Sequence, residues 1–224
     1  MRTSLTLAII LAATATSPIF ADTVAAQQVL TFSPTDGSAG EWSYNGAGIL
    51  SFDQSITIDS GLGSNYDALV GAHVYLPAFQ ISGIPGAPYT LTPLGNSQIT
   101  IKSADNSVTY MTGTLAMGDL GTLGTVAGGY TEFKADISNV FITHEGSALG
   151  SAALALLEKL GMPALDFDLS FSGGSGVGYR SFADMLDRGG LGSGGFSGAM
   201  SVPEPATFVL LGFSGLAILR KRRK

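Results

Sequence analysis

Strict alternation of apolar and polar side chains decides the fold, and it is clearest in residues 165–171, LDFDLSF. Leucine and phenylalanine occupy the odd positions, while aspartate and serine occupy the even positions. A period of two is that of a β-strand with one buried face and one solvent-facing side. We therefore expect the carboxylates of Asp166 and Asp168 on the solvent face of a sheet.

The same period recurs through the preceding part of the chain, which predicts further strands. Asp105-Asn106 lies between two apolar runs and is the clearest hairpin signal. Pro77 falls inside one β-rich run, where it predicts an edge or a bulge because proline cannot donate to a ladder. The predicted strands cover residues 50–59, the run 70–81, the hairpin arms 99–102 and 108–111, and 133–142.

Two helices are predicted among these strands. Apolar residues from Leu149 to Leu160 follow helical spacing, with Gly161 at the expected stop and Pro163 beyond it. A shorter helix is expected to bury Phe182, Met185 and Leu186. Short strands, Gly-rich turns and one well-packed helix indicate a mainly β domain, an antiparallel β-sandwich or jelly-roll-like fold, with a β-helix as the competing architecture.

Both ends of the chain carry targeting features. At the N-terminus, Arg2 precedes an apolar stretch, and the sequence predicts a secretory signal peptide over residues 1–21 with cleavage between Ala21 and Asp22. A second possible cleavage point follows Ala26, and an uncleaved anchor is the alternative. Such a leader implies export by the Sec machinery.

At the C-terminus, an apolar run of 14 residues, 206–219, is followed by five basic residues. As a helix it would cover about 21 Å, whereas a bilayer's hydrocarbon core is about 30 Å thick. Basic side chains extend the span by reaching the interface, and they favour the cytoplasmic side. Proline residues before the run predict an extended, accessible segment. The run is therefore predicted to be a short transmembrane helix that anchors the chain transiently.

The tail has three parts in order: the triplet Pro203-Glu204-Pro205, the short apolar run and the basic cluster at residues 220–224. This order resembles the PEP-CTERM sorting signal, over residues 202–224. That resemblance implies recognition and removal of the tail by an exosortase in a Gram-negative bacterium that exports polysaccharide. An ordinary tail anchor is the alternative. The residues that match the family's pattern are Pro203, Glu204, Pro205, Arg220, Lys221, Arg222, Arg223 and Lys224.

Without its ends, the chain is strongly acidic and has no cysteine. Residues 22–202 hold 16 of the 17 acidic residues and five of the 11 basic ones, a net charge of −11. This charge disfavours nucleic-acid binding, which depends on neutralising phosphates. Residues 22–188 are expected to form one exported β-rich domain, and the glycine- and serine-rich residues 189–201 a flexible stalk.

No motif in the sequence indicates catalysis or a resident cofactor. His73 and His144 are the only histidines, and with no cysteine they make a transition-metal site improbable. Turn carboxylates that converge in the fold would suit Ca²⁺, although such side chains usually bond to the backbone. The dispersed candidates are Asp36, Asp59, Asp67, Asp105 and Asp119.

Aromatic residues leave a carbohydrate-binding role open. Trp42 and Tyr44 lie two residues apart, so their rings share one strand face, either in the core, which we favour, or as a platform for sugars. The sequence thus predicts a non-enzymatic, exosortase-processed protein of the cell surface or extracellular matrix, associated with exopolysaccharide or biofilm. A carbohydrate-binding β-sandwich module, Ca²⁺-dependent or not, is the alternative, and a polysaccharide-acting enzyme is a distant third.

Overall fold

The computed structural model describes residues 27–34, 42–52, 56–84, 88–123, 130–172 and 182–203. Within these ranges the chain forms thirteen strands and three helices. The predicted signal peptide and the apolar run 206–219 lie outside them. The strands are β1 Gln27–Pro34, β2 Trp42–Tyr44, β3 Ile49–Phe52, β4 Ile56–Gly61, β5 His73–Tyr75, β6 Phe79–Ser82, β7 Tyr89–Pro93, β8 Gln98–Lys102, β9 Thr109–Leu115, β10 Gly118–Leu123, β11 Tyr130–Ile142, β12 Leu165–Ser172 and β13 Gly192–Val202, and the helices are α1 His144–Ala148, α2 Ala152–Lys159 and α3 Phe182–Asp187.

Three long strands, β11, β12 and β13, lie side by side in the middle of the sheet, with β12 between the other two. β9 and β10 follow the free edge of β11 one after the other. Leu115 of β9 lies opposite Ile137, and Asp119 of β10 lies opposite Lys134. They therefore act as one long strand with a short interruption at residues 116–117.

The sheet closes on itself in two rings. The edge of β13 that faces away from β12 pairs with two strands. β1 lies along the C-terminal part of β13, and β2 lies along the N-terminal part of β13. From there one series of strands runs β1-β4-β5-β8-β9 and the other runs β2-β3-β6-β7-β10. Both series return to β11, so the rings share β11, β12 and β13. Every described strand thus has a partner on both edges for at least part of its length, which limits the unpaired edge available to another chain.

The prediction of a mainly β, antiparallel domain is confirmed. All pairings among the described strands are antiparallel, which differs from the parallel coils of a β-helix. In place of the two separate sheets of a sandwich or jelly roll, the thirteen strands form one hydrogen-bonded sheet.

The alternation in β12 builds the centre of the core as predicted. Its leucines and phenylalanines are at most 1% exposed, and Phe167 stacks on Phe32 of β1 with ring centroids 5.9 Å apart. The ring of Phe133 from β11 meets Phe167 edge-on at 6.1 Å. Rings from three strands therefore fill the space that the closed sheet encloses.

Other local predictions are confirmed with adjustments. β8 and β9 form the expected hairpin, in which Asn106 has a φ of 63° and Asp105 accepts the Ser107 N–H at 3.1 Å. The run containing Pro77 is divided into β5 and β6, with the proline between them. The strand expected over 50–59 is instead two strands, β3 and β4.

The predicted stalk is wrong for most of its length. Residues Gly192–Val202 are the strand β13, which pairs with β12 from Gly195 to Ser201. Phe196 and Met200 are buried. At Gly198 an added Cβ would lie 2.2 Å from the ring of Phe32, so glycine here makes room for a core side chain. The glycines and serines therefore fit a crowded sheet rather than a loose linker.

The helix predicted over 149–160 is two helices. Gly150 has a φ of +82°, which ends α1, and Ser151 begins α2 by accepting the Leu154 N–H at 3.2 Å. α2 stops as predicted at Gly161, where the Met162 N–H bonds to the Leu157 carbonyl at 2.8 Å. The shorter helix is confirmed as α3, which buries the three residues expected.

Candidate functional site

The sorting segment begins where the last strand of the body ends. β13 stops at Val202, and Pro203 is the last residue that the structure describes. The other predicted signal residues, Glu204, Pro205 and the basic residues 220–224, lie outside the described ranges. Within those ranges, no helix is both long and apolar enough to cross a membrane.

Both ends of the body leave it at the same place. Gln27, the first residue of β1, lies opposite Val202, the last residue of β13. The predicted cleavage site at Ala21 and Asp22 lies outside the described residues, only a few positions before this pair. The sorting tail and the residues that precede β1 are therefore attached to neighbouring strands of the folded body.

The solvent face of β10, β11 and β12 carries an acidic groove, a depression of about 550 Å³ lined by residues 117–119, 134–136, 166 and 168. Cross-strand register brings its charged side chains together. Asp136 lies opposite Asp166, and Lys134 lies opposite both Asp168 and Asp119. Four carboxylates thus surround one lysine. As predicted, Asp166 and Asp168 face away from the core.

Partial burial, together with the neighbouring charges, changes the pKa of two acids in the groove. Burial raises the pKa of Asp166, and the charge of Asp136 raises it further, while Lys134 lowers it. Burial also raises the pKa of Asp168, against the opposing effect of Lys134. The positive charge of Lys134 is shared with a further carboxylate, because its Nζ lies 3.2 Å from Glu132 Oε2.

Replacing Asp166 by asparagine is expected to stabilise the body at neutral pH by less than about 1 kcal/mol, the usual ceiling for exposed charges. The raised pKa means that folding favours the protonated acid. The stabilising contribution of Asp166 to the free energy of unfolding is therefore present below about pH 4 and is lost as pH rises through the folded-state pKa. Asparagine resembles the protonated form, so its advantage should vanish in acid. Urea unfolding at several pH values measures this.

Asp105→Asn is the matched control because its expected sign is opposite. Hydrogen bonds from Ser103 and Ser107 lower the pKa of Asp105 to about 2, so its charged form favours folding. The control substitution should lower the free energy of unfolding of the body at neutral pH. Equal effects of the two variants would contradict the opposite directions of the two pKa shifts.

A second, smaller depression of about 220 Å³ adjoins the acidic groove, and Asp168 and Glu132 both contribute to it. Asp59 of β4 and Ser197 of β13 also line it. Polar side chains on the outer face therefore extend across β11, β12 and β13 toward β4.

The turn carboxylates considered for Ca²⁺ serve different local roles. Asp67 accepts the Leu69 N–H at 2.9 Å and the Ala153 N–H at 3.1 Å, and Asp105 lies in the β8–β9 turn. Asp119 lies in the acidic groove, and Asp36 is outside the described ranges. Among the described residues, no three His, Cys, Asp or Glu side chains come together in a way that would hold a metal ion.

The aromatic pair considered for sugar stacking belongs to the core, as we favoured. Trp42 is 0% exposed, and its Nε1–H donates to the Gly195 carbonyl at 3.1 Å. Tyr44 packs edge-on against Phe182. Tyr66, by contrast, is 91% exposed.

Sequence could not have found the acidic groove, because its residues come from three strands and meet only through register.

The sorting tail is contiguous, and comparison with known proteins bears it out. No curated protein and no solved structure matches the chain. Residues 201–224 match the family model of the PEP-CTERM protein-sorting motif. Such a motif implies export, a membrane-anchored sorting signal and processing by an exosortase. The chain therefore carries a PEP-CTERM protein-sorting motif at residues 201–224.

Proposed function

We propose that this chain is a non-enzymatic protein of the cell surface or extracellular matrix, released from its sorting tail by an exosortase and associated with exopolysaccharide or biofilm. The observation that carries the proposal is the motif match at residues 201–224, which begins within the last two residues of β13, the last strand of the body. Every described strand precedes Pro203, so cleavage beyond that residue leaves the closed sheet whole.

The outer face of the body suits a role in contact with other molecules rather than catalysis. Asp119 and Asp136 are exposed, so water reaches two of the four carboxylates of the acidic groove freely, while Asp166 and Asp168 are half-buried. Catalytic carboxyl pairs that cleave sugars work in sites that position the substrate and exclude much of the water. An open, acidic sheet face instead keeps an exported body soluble and presents many hydrogen-bond acceptors.

Replacing Pro203, Glu204 and Pro205 together by alanine is expected to block processing. The unprocessed chain should remain in the membrane fraction with its full mass, as should the native chain in a host that lacks its exosortase. Mass spectrometry and immunoblotting of cell fractions measure this.

A matched control replaces three exposed polar residues of the body, Ser64, Asn65 and Asn96, by alanine and should leave processing normal. If the mature mass and location are the same with and without exosortase, the proposal is wrong.

The alternative is a carbohydrate-binding module, and the acidic groove is the observation that favours it. Its carboxylates would accept hydrogen bonds from sugar hydroxyls, and the exposed side chain of Met117 lies beside them. Glycan-array binding with and without a chelator separates this function from the first and tests whether Ca²⁺ takes part.

A further inference from the structure

The end of the body from which the tail leaves is built from two further segments, and we call these parts together the tail end: residues 62–72, residues 148–164 and Val202–Pro203. The Leu62 N–H donates to the Val29 carbonyl at 2.8 Å, which places the first segment beside the start of β1. Asp166 lies opposite Ser201, so the residues leading into β12 lie beside the end of β13.

The two segments of the tail end are fastened to each other. The carboxylate of Asp67, from the first segment, accepts the Ala153 N–H at the start of α2. Burial raises the pKa of Asp67, but hydrogen bonds from Leu69, Ser151 and Ala153 outweigh it and the net pKa is lowered. These hydrogen bonds hold the two segments against each other.

The tail end exposes apolar side chains and little net charge. Tyr66 is 91% exposed, Leu160 48% and Met162 40%. The exposed charged residues in the two segments are Glu158 and Lys159, which cancel. The body as a whole is strongly acidic, so the small net charge and the exposed apolar side chains of these two segments set this region apart.

The length of the tail fixes how far the tail end can lie from a membrane. Three residues separate Val202 from Ala206, where the apolar run begins. Four Cα-to-Cα steps span at most about 14 Å. The headgroup layer of one leaflet is about 6 Å thick. With the apolar run in the bilayer, the end of β13 lies at or just above the headgroups, whatever path the intervening residues take.

We propose that the tail end rests on the outer surface of the lipid bilayer until the tail is removed, with Tyr66, Leu160 and Met162 in the headgroup layer. The inference rests on the proposed function, since it requires an inserted tail. A tyrosine ring has an apolar body and a polar tip, and it prefers this layer. Three side chains give only weak, reversible attachment on their own, so cleavage of the tail also frees the surface.

The absence of cysteine from the chain allows a direct test. Tyr66→Cys, Leu160→Cys and Met162→Cys variants of the full chain, each carrying one environment-sensitive fluorophore, are reconstituted in phosphatidylcholine vesicles with headgroup-labelled nitroxide lipids. The matched control is Leu191→Cys, because Leu191 is 69% exposed and precedes β13 at its far end, about 33 Å from Val202 along the strand.

We expect strong quenching and a blue shift at the three tail-end positions, and neither at position 191. Quenching at these positions that is no greater than at position 191 overturns docking. Processing in the host, read by mass spectrometry, is independent of this result. A chain that is processed normally but shows no contact therefore refutes the docking alone, whereas a chain that docks but is never processed refutes the proposed function.

Discussion

A chain that stops after Leu191 is expected to be unfolded, whereas a chain that stops after Pro203 keeps the body folded. Loss of β13 takes away the neighbour of β1, β2 and β12 and opens both rings. It also removes Phe196 and Met200 from the core, and the loss of two such side chains costs about 5–10 kcal/mol. That cost is comparable to the whole stability of a typical domain, about 5–15 kcal/mol. Circular dichroism and limited proteolysis of the two truncated chains measure the difference.

A length-matched variant serves as the control for this truncation. Replacing 192–202 by a glycine-serine linker keeps the chain's length and the exit of the tail but removes the buried side chains. It should unfold like the shorter chain. A linker variant that melts at the same temperature as the native chain would show that this segment is a stalk after all.

Replacing Trp42 by alanine is expected to cost about 3–5 kcal/mol of unfolding free energy. Its ring meets Phe182 of α3 at 4.6 Å and Phe171 of β12 at 6.0 Å, both edge-on. Its indole N–H also satisfies the Gly195 carbonyl of β13. One side chain thus joins a helix and two strands to β2, and its loss leaves a large cavity. Urea unfolding followed by circular dichroism measures the change.

The control for this substitution is Trp42→Phe, which retains an aromatic ring but loses the indole hydrogen bond. It should cost distinctly less than the alanine change. A loss below about 1 kcal/mol for alanine would mean that the ring lies at a surface, as a sugar platform would require.

The sequence predicted those strands whose own residues carry the pattern. In β12 the alternation of apolar and acidic residues is local, and so are the turn residues of the β8–β9 hairpin. The sorting tail was found for the same reason, since its parts are contiguous.

β13 was missed because the reason for its composition lies on other strands. Gly198 is small since Phe32 and Leu169 occupy the space that its side chain would need. Phe196 and Met200 do alternate with small residues, but the surrounding glycine and serine suggested a linker. The acidic groove was missed because register, which decides that Asp136 meets Asp166, is a property of the assembled sheet.

The pairing of Gln27 with Val202 also governs when the body can fold. Domains dominated by contacts between distant parts of the sequence fold slowly, because the loops must close before the contacts are gained. A chain delivered from its N-terminus presents β1 first and receives the partner strand β13 last. Throughout that interval β1 lacks this neighbour and is exposed to association with other chains. We therefore expect the incomplete sheet to be prone to association with other chains until the final strand pairs.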